Sequence, residues 1–367
     1  MTNPLKQLQA FGQSVWLDFI RRGILEDGTL HRFIENDGVS GITSNPSIFE
    51  QAIAHSDDYT QALRFLARQG KSVDEIYQIL SIEDVQRAAD IFRPVYEQTQ
   101  GRDGYVSLEV DPRLAYDTPG TIADAQRLWR LLDRPNVMIK VPATKEGLPA
   151  IRELLSEGVN VNVTLLFSVE RYREVAEIYL EALETRLARG LPVDTVASVA
   201  SFFISRIDTL LDALLDHHPC EEARALKGKI AIASAKSAYA VYQEIANSER
   251  FKALQAQGAR PQRLLWASTS TKNPAYSDVK YVEALIGPDT VTTLPLKTLA
   301  AYRDHGRPAE RLTKGIPEAQ ATLAKLAELQ IDLAAATQQL EEEGVKKFVQ
   351  AFEQLLTTLA QQRAAAV

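Results

Sequence analysis

Cysteine is nearly absent from this sequence: Cys220 is the only one among 367 residues. A single cysteine excludes an intramolecular disulfide, so we expect a cytoplasmic protein from a reducing compartment. No apolar run approaches the roughly 18 residues of a membrane span, which argues against a membrane protein. Residues 1–13 lack the charged and apolar segments of a secretory signal. The net charge of -7, with no basic run, argues against nucleic acid as the partner.

Motifs that would indicate a cofactor or a metal are also missing. Neither GxGxxG nor HExxH occurs, and residues 70–72 (GKS) lack the upstream glycine of a phosphate loop because Phe65 stands there. His217, His218 and Cys220 are close in sequence, but no fourth ligand has the usual spacing and the segment is typical of a helix end. The sequence therefore predicts no metal and no cofactor.

Short apolar runs recur at intervals of one helix or more. They predict strands at 14–19, 39–44, 105–110, 137–142, 159–167, 196–204, 263–269 and 290–295. Amphipathic segments such as 121–132, which Thr121 would cap, separate most of them. Eight strands that alternate with helices predict the α/β class and a (β/α)8 TIM barrel. The active site of such a barrel lies at the carboxyl ends of its strands. A doubly wound open sheet has a similar pattern and stays open as an alternative.

Two connections and the C-terminal segment are longer than a barrel needs. We expect helical insertions near 46–104 and 205–262 and a helical tail near 317–367, all belonging to one domain over residues 1–367. Gly344 is expected to end one tail helix and start the next. Three roles stay open for the tail: to cover the active site, to form a homodimer interface, or to pack on the barrel.

The segment 137–142 (VMIKVP) has one lysine, Lys140, in an otherwise apolar strand. Burial disfavours the charged form of a lysine, and the neutral amine is a nucleophile that forms Schiff bases with carbonyl compounds. A structural lysine paired with a carboxylate is the alternative. Two carboxylates are suitably placed, since Asp18 ends the first strand and Glu109 lies near the end of the third. An inward carboxylate indicates acid–base chemistry or an ion pair with Lys140.

The fifth strand alternates polar and apolar residues. Its period of two puts Asn160, Asn162 and Thr164 on one face and valines on the other. In a barrel covered by helices the polar face points inward, where three such side chains would suit a polyol. An edge strand with one hydrated face is the alternative.

Several phrases of the sequence together resemble one enzyme family. GITSNPSIF (41–49), SLEVDPRLAYDT (107–118), VMIKVPAT (137–144) and NVNVTLLFS (160–168) are similar to the transaldolases, and SFFISRID (201–208) and WASTSTKNP (266–274) extend the match. The order of the phrases and the helical tail resemble the longer bacterial branch of that family. The resemblance implies a (β/α)8 barrel and a cofactor-free reaction of the pentose phosphate pathway.

The resemblance also implies a role for each matching residue. The Schiff-base lysine falls on Lys140, the acid–base aspartate on Asp18, and the residues that hold a catalytic water on Glu109 and Thr164. The predicted substrate-binding residues are Asn45, Asn162, Ser201, Phe203, Arg206, Ser268 and Lys272. The implied partners are sugar phosphates: a dihydroxyacetone unit passes between sedoheptulose 7-phosphate or fructose 6-phosphate and glyceraldehyde 3-phosphate or erythrose 4-phosphate.

The sequence departs from the family at one phosphate position. Many members have an arginine in a stretch like SFRN, whereas residues 268–273 read STSTKN, so Lys272 is taken as the second phosphate-binding cation. The alternative enzyme is a fructose 6-phosphate aldolase that releases free dihydroxyacetone, but those relatives are shorter and generally carry a tyrosine where Glu109 stands. A non-catalytic sugar-phosphate-binding barrel would have lost Lys140, Asp18 or Glu109, and all three are present.

Overall fold

The computed structural model describes residues 3–366 and contains a closed barrel of eight parallel strands. The strands are β1 Gln13–Leu17, β2 Val39–Ile42, β3 Tyr105–Glu109, β4 Val137–Pro142, β5 Val161–Leu166, β6 Ser198–Phe203, β7 Arg263–Ala267 and β8 Thr290–Leu294. The ring closes because β1 pairs with β8 along its whole length, from Gln13–Thr290 to Leu17–Leu294. The predicted (β/α)8 fold is therefore confirmed, and the open-sheet alternative is wrong.

Helices surround the barrel and fill the long connections. The α-helices of the described residues are α1 Pro4–Gln7, α2 Arg22–Glu26, α3 Thr29–Asp37, α4 Pro46–Ala54, α5 Thr60–Arg68, α6 Val73–Gln98, α7 Thr118–Leu132, α8 Gly147–Glu157, α9 Val169–Ala188, α10 Ser205–His217, α11 Glu221–Arg224, α12 Ile230–Ala246, α13 Glu249–Gln255, α14 Lys280–Ala284, α15 Leu296–His305, α16 Ile316–Glu328 and α17 Leu333–Ala366. Short 3₁₀ turns occupy Leu8–Phe11 and Pro112–Leu114. The connection over residues 46–104 contains α4, α5 and α6, and that over residues 205–262 contains α10 to α13. None of these helices has the length and apolarity that crossing a membrane would require.

Two predicted helix boundaries are wrong. Helix α7 begins at Thr118, and its cap is Asp117, which accepts a hydrogen bond from the backbone N–H of Gly120, while the Thr121 hydroxyl donates to the carbonyl of Leu114. In the tail, α17 continues through Gly344 without a break. A Cβ at that position would lie 3.0 Å from a methyl of Leu165, so this glycine allows the helix to lie close to the barrel.

A buried polar network occupies the amino-terminal end of the barrel. Arg263 donates to Ser14 (2.8 Å) and pairs with Asp103 (3.1 Å), and Asp103 also accepts from the Trp16 indole N–H (3.0 Å). Gly41 lies against Trp16, where a Cβ would approach the ring to 2.7 Å. These side chains fill the barrel below its midpoint, and they leave the carboxyl ends of the strands for chemistry.

Candidate active site

A cavity of about 170 Å³ opens at the carboxyl ends of the strands. Nine of the eleven predicted site residues line it: Asp18, Asn45, Lys140, Thr164, Ser201, Phe203, Arg206, Ser268 and Lys272. The other two, Glu109 and Asn162, contact members of this set. A cavity of about 250 Å³ at the opposite end of the barrel, beside Met138 and Arg260, has no lysine in its lining. The smaller cavity is therefore the candidate site.

Lys140 lies at the centre of the site, with its side chain only 5% exposed. Strand pairing places it beside Glu109 on β3 and Asn162 on β5. Its Nζ is 3.3 Å from Oε2 of Glu109 and donates a hydrogen bond to the carbonyl of Ser44 (2.9 Å). The predicted buried lysine thus has a carboxylate partner, and the same carboxylate is placed to exchange a proton with it.

Glu109 and Thr164 have buried polar side-chain atoms without a hydrogen-bond partner among the described residues. Apart from the ion pair with Lys140, neither carboxylate oxygen of Glu109 has a hydrogen bond within residues 3–366, and neither does the buried hydroxyl of Thr164. Burial raises the pKa of Glu109 above its ordinary value, and the charge of Lys140 opposes this shift. Buried polar groups are normally hydrogen-bonded, so these two are suited to hold a water or a substrate hydroxyl.

Asp18 follows β1 directly and is fixed at both its backbone and its side chain. Its N–H donates to the carbonyl of Leu294 (2.9 Å), and Oδ1 accepts from the hydroxyl of Thr43 (2.7 Å), which also bonds the hydroxyl of Thr293 (2.7 Å). Burial raises the pKa of the Asp18 carboxyl, while the charge of Lys140 and the Thr43 bond act in the lowering direction. A carboxyl whose pKa is raised by burial is suited to general acid–base proton transfer.

The amides of the fifth strand do not share one role. Asn162 is buried, donates to the Ser107 hydroxyl (3.0 Å) and accepts from the Ser201 hydroxyl (2.7 Å), so it contacts the cavity through Ser201. Asn160 precedes β5 at the lower end of the barrel, where its amide bonds the backbone of Pro135, Val137 and Ala197. The expectation that Asn160 points into a polyol site is therefore wrong, because the neighbouring backbone groups use its hydrogen bonds.

Asn45 and Ser268 line the cavity and are each held by a hydrogen bond to a neighbouring segment. Asn45 caps α4, and its Oδ1 accepts from the N–H of Ile48 (3.1 Å). Ser268 has a left-handed backbone conformation (φ 54°), and its hydroxyl bonds that of Ser205 (2.8 Å) at the start of α10. These bonds fix both polar side chains where they line the cavity.

Two cations lie at one side of the cavity. Arg206, in the first turn of α10, packs its guanidinium 5.2 Å from the ring centre of Phe203, and its buried Nη1 has no hydrogen-bond partner among residues 3–366. Burial lowers the pKa of Arg206. Lys272, in the loop after β7, donates to the Ser270 hydroxyl (2.7 Å). Partial desolvation lowers the pKa of Lys272, and the positive charge of Arg206 lowers it further. Two neighbouring cations with an unused donor favour an anion, and a phosphate matches the arginine fork.

The sequence alone did not indicate three contributors to the site. The Thr43 hydroxyl bonds Asp18, and the Ser44 carbonyl accepts from Lys140. Both residues directly follow β2, and this position at the carboxyl end of a strand could have indicated a role in the site. Phe348 of α17 also lines the cavity, and no strand-based argument could have identified it. The described residues contain no group of three or more His, Cys, Asp or Glu that could hold a metal ion.

Comparison with known proteins gives a consistent result over nearly the whole chain. The family model described as "Transaldolase/Fructose-6-phosphate aldolase" matches residues 15–359. A transaldolase of Thermobifida fusca is 50% identical, with 100% of each chain covered. A transaldolase of Thiobacillus denitrificans is 49% identical over 97% of this chain and 99% of its own, and one of Trichodesmium erythraeum is 48% identical over 98% and 97%.

Proposed function

This chain belongs to the transaldolase and fructose-6-phosphate aldolase family, and we propose that it transfers a dihydroxyacetone unit between sugar phosphates through a Schiff base on Lys140. The activity is that of a transaldolase, the name given to relatives about half identical over nearly their full length. The observation that carries the mechanism is the buried Lys140 between Glu109 and the Ser44 carbonyl, at the wall of a cavity that Asp18 shares.

The first half of the proposed reaction forms the imine. Lys140 passes a proton to Glu109, and its neutral amine adds to the C2 carbonyl of the ketose phosphate. Glu109 and Thr164 hold the hydroxyl that leaves as water when the carbinolamine dehydrates, in agreement with their unpartnered buried atoms. The imine draws electrons from C3, so the C3–C4 bond breaks when Asp18 takes the proton of the C4 hydroxyl.

The second half transfers the three-carbon unit. Cleavage leaves an enamine on Lys140, with Ser201 lining the cavity and Asn162 holding Ser201. The aldose product leaves, an acceptor aldehyde enters, and C3 of the enamine attacks the aldehyde carbon while Asp18 returns its proton. Arg206 and Lys272 bind the phosphate of whichever sugar is present. Hydrolysis of the new imine then releases the product ketose.

We assign the reaction to the pentose phosphate pathway in the cytoplasm, with sedoheptulose 7-phosphate and fructose 6-phosphate as donors. The two cations at one end of the cavity support phosphorylated substrates, and the single cysteine agrees with a reducing compartment. The alternative, a fructose 6-phosphate aldolase, is not favoured, because the relatives cited above are transaldolases and Glu109 stands where those aldolases generally have tyrosine.

Acceptor dependence tests this function. Glyceraldehyde 3-phosphate release from fructose 6-phosphate is measured with and without erythrose 4-phosphate. We expect fast release only with the acceptor, because without it the enzyme is held at the enamine after one turnover and loses dihydroxyacetone slowly. Equal rates in both assays would mean that the protein is an aldolase whose dihydroxyacetone escapes to water.

Replacement of the phosphate cations should separate binding from chemistry. Hydrogen bonds to charged groups contribute about 1.5–3 kcal/mol, so Arg206→Ala should raise the KM for fructose 6-phosphate roughly 10- to 100-fold. Lys272→Ala should raise it less, because Lys272 is exposed and lysine lacks the planar fork. Unphosphorylated fructose is the control, and its kcat/KM should not change. An unchanged KM for the phosphorylated sugar in Arg206→Ala would move the phosphate site elsewhere.

A further inference from the structure

The C-terminal helix α17 forms part of the wall of the active site. It packs against α4, α5 and α6 and against the end of β5, and its side chain Phe348 is 3% exposed and lines the site cavity. Of the three roles that the sequence left open for the tail, the structure therefore supports two: packing on the barrel and covering the site. Because Phe348 lines the cavity, α17 can influence the reaction directly as well as stabilise the fold.

Contacts along its length hold α17 in place. Glu341 pairs with Arg171 at 3.7 Å near the beginning of the helix, and Nε of Arg363 donates to the carbonyl of Lys71 (2.7 Å) near its end. Between them, Gly344 lies against Leu165, just beyond Thr164. The helix backbone thus comes close to the end of β5 one turn before Phe348, and this approach determines how deeply the phenyl ring enters the cavity.

The ring of Phe348 lies close to both the nucleophile and the phosphate cation. Its centre is 5.8 Å from Nζ of Lys140 and 6.0 Å from the guanidinium carbon of Arg206. Both distances are in the range of cation–π contacts, so the ring attracts the charged amine of the resting enzyme. Once the amine has become an imine or enamine, the same ring is an apolar surface beside it. Phe203, which also contacts Arg206, supplies a second aromatic surface in the cavity.

We propose that Phe348 shields the enamine on Lys140 from water, and that it thereby favours transfer of the dihydroxyacetone unit over its release. This inference rests on the proposed Schiff-base function. Release of free dihydroxyacetone needs two steps, and an apolar surface that excludes water slows both. First, an acid gives a proton to C3 of the enamine, which turns it back into an imine. Water then adds to C2, and the carbinolamine collapses with expulsion of the Lys140 amine and formation of free dihydroxyacetone.

Phe348→Ala tests the proposal. With fructose 6-phosphate alone, the rate of glyceraldehyde 3-phosphate and dihydroxyacetone release, divided by the transfer rate with erythrose 4-phosphate, should rise at least about tenfold, a change of about 1.4 kcal/mol between the competing barriers. Leu359→Ala is the matched control, since Leu359 is a fully buried residue farther along the same helix and outside the cavity lining. Its ratio should stay at the wild-type value even if the helix is destabilised.

Borohydride trapping and a second variant, Phe348→Leu, distinguish a failure of the shielding role from a failure of the Schiff-base function. Borohydride reduction with fructose 6-phosphate must trap an adduct in wild type, and failure there would remove the Schiff-base function itself. If Phe348→Ala traps the adduct but keeps the wild-type ratio, or if Leu359→Ala raises the ratio equally, the shielding role is wrong. Should Phe348→Ala fail to fold, Phe348→Leu takes its place. It opens less space and should raise the ratio less, and an unchanged ratio in this folded variant would also contradict the proposal.

Discussion

Lys140→Ala should lower transaldolase turnover by about 10⁶-fold, to the limit of detection, because enzymes accelerate reactions by at least this factor and this pathway depends on one covalent intermediate. Lys272, the other lysine that lines the cavity, has different surroundings: it is exposed and donates to the Ser270 hydroxyl, whereas Lys140 is buried beside Glu109. The measurement is the initial rate together with borohydride trapping and peptide mass analysis. The reduced dihydroxyacetone adduct should map to Lys140 in wild type and disappear in the variant.

The control for this prediction has to address folding, because Lys140→Ala leaves Glu109 buried without its cation. Breaking a buried ion pair from one side costs about 3–5 kcal/mol, and a low activity would then have two explanations. The double variant Lys140→Met with Glu109→Gln removes both charges and keeps the side-chain volume, so it should fold and still be inactive. Lys145→Ala, at an exposed lysine beyond the same strand, should retain full activity. A folded Lys140 variant with near-normal turnover would contradict the assignment.

The barrel and much of its site could be predicted from local sequence patterns. The strands were predicted from short apolar runs, and the period of two along the fifth strand placed Asn162 and Thr164 on the inner face. Lys140 was identified as the one lysine in an apolar strand, and Glu109 as a carboxylate near the end of the third strand. Parallel pairing then brought Lys140 beside Glu109, as a closed barrel requires. These inferences succeeded because they depend on strand geometry, which residues close in sequence determine.

The remaining features depend on contacts between distant segments. Asn160 follows the same alternation as Asn162, but at the lower end of the barrel its amide is used by the backbone of Pro135 and Val137. Glycine is typical of a helix end, and this led to the wrong prediction at Gly344. The residue lies inside a continuous helix, where the close approach of the helix to Leu165 leaves little room for a side chain. Phe348 could not be placed because only the packing of α17 across the barrel brings it to Lys140.

Asp18→Asn should separate imine formation from carbon–carbon cleavage. The amide keeps the shape of the side chain and an oxygen that accepts from Thr43, but it cannot take the C4 hydroxyl proton. General acid–base groups contribute about 10²- to 10⁴-fold, and we expect kcat to fall within this range. Borohydride trapping with fructose 6-phosphate should still succeed, since Lys140 and Glu109 are intact. A folded variant that traps no adduct would show that Asp18 acts before cleavage, in forming the imine.

The pH dependence of cleavage provides an independent test of the same carboxyl. Burial raises the pKa of Asp18, and the reaction needs its carboxylate form, so activity is present above this pKa and is lost as the pH falls through it. The acid limb of kcat/KM in wild type should therefore lie at a higher pH than an ordinary aspartate would give. Asp18→Asn should remove that limb. The pKa of Glu109 is also raised, so Glu109→Gln is the matched control variant. Cleavage in this variant is measured in a single turnover that starts from the preformed imine. Its rate should still show the acid limb that belongs to Asp18. If the limb persists unchanged in Asp18→Asn, the proton acceptor for the C4 hydroxyl is another group.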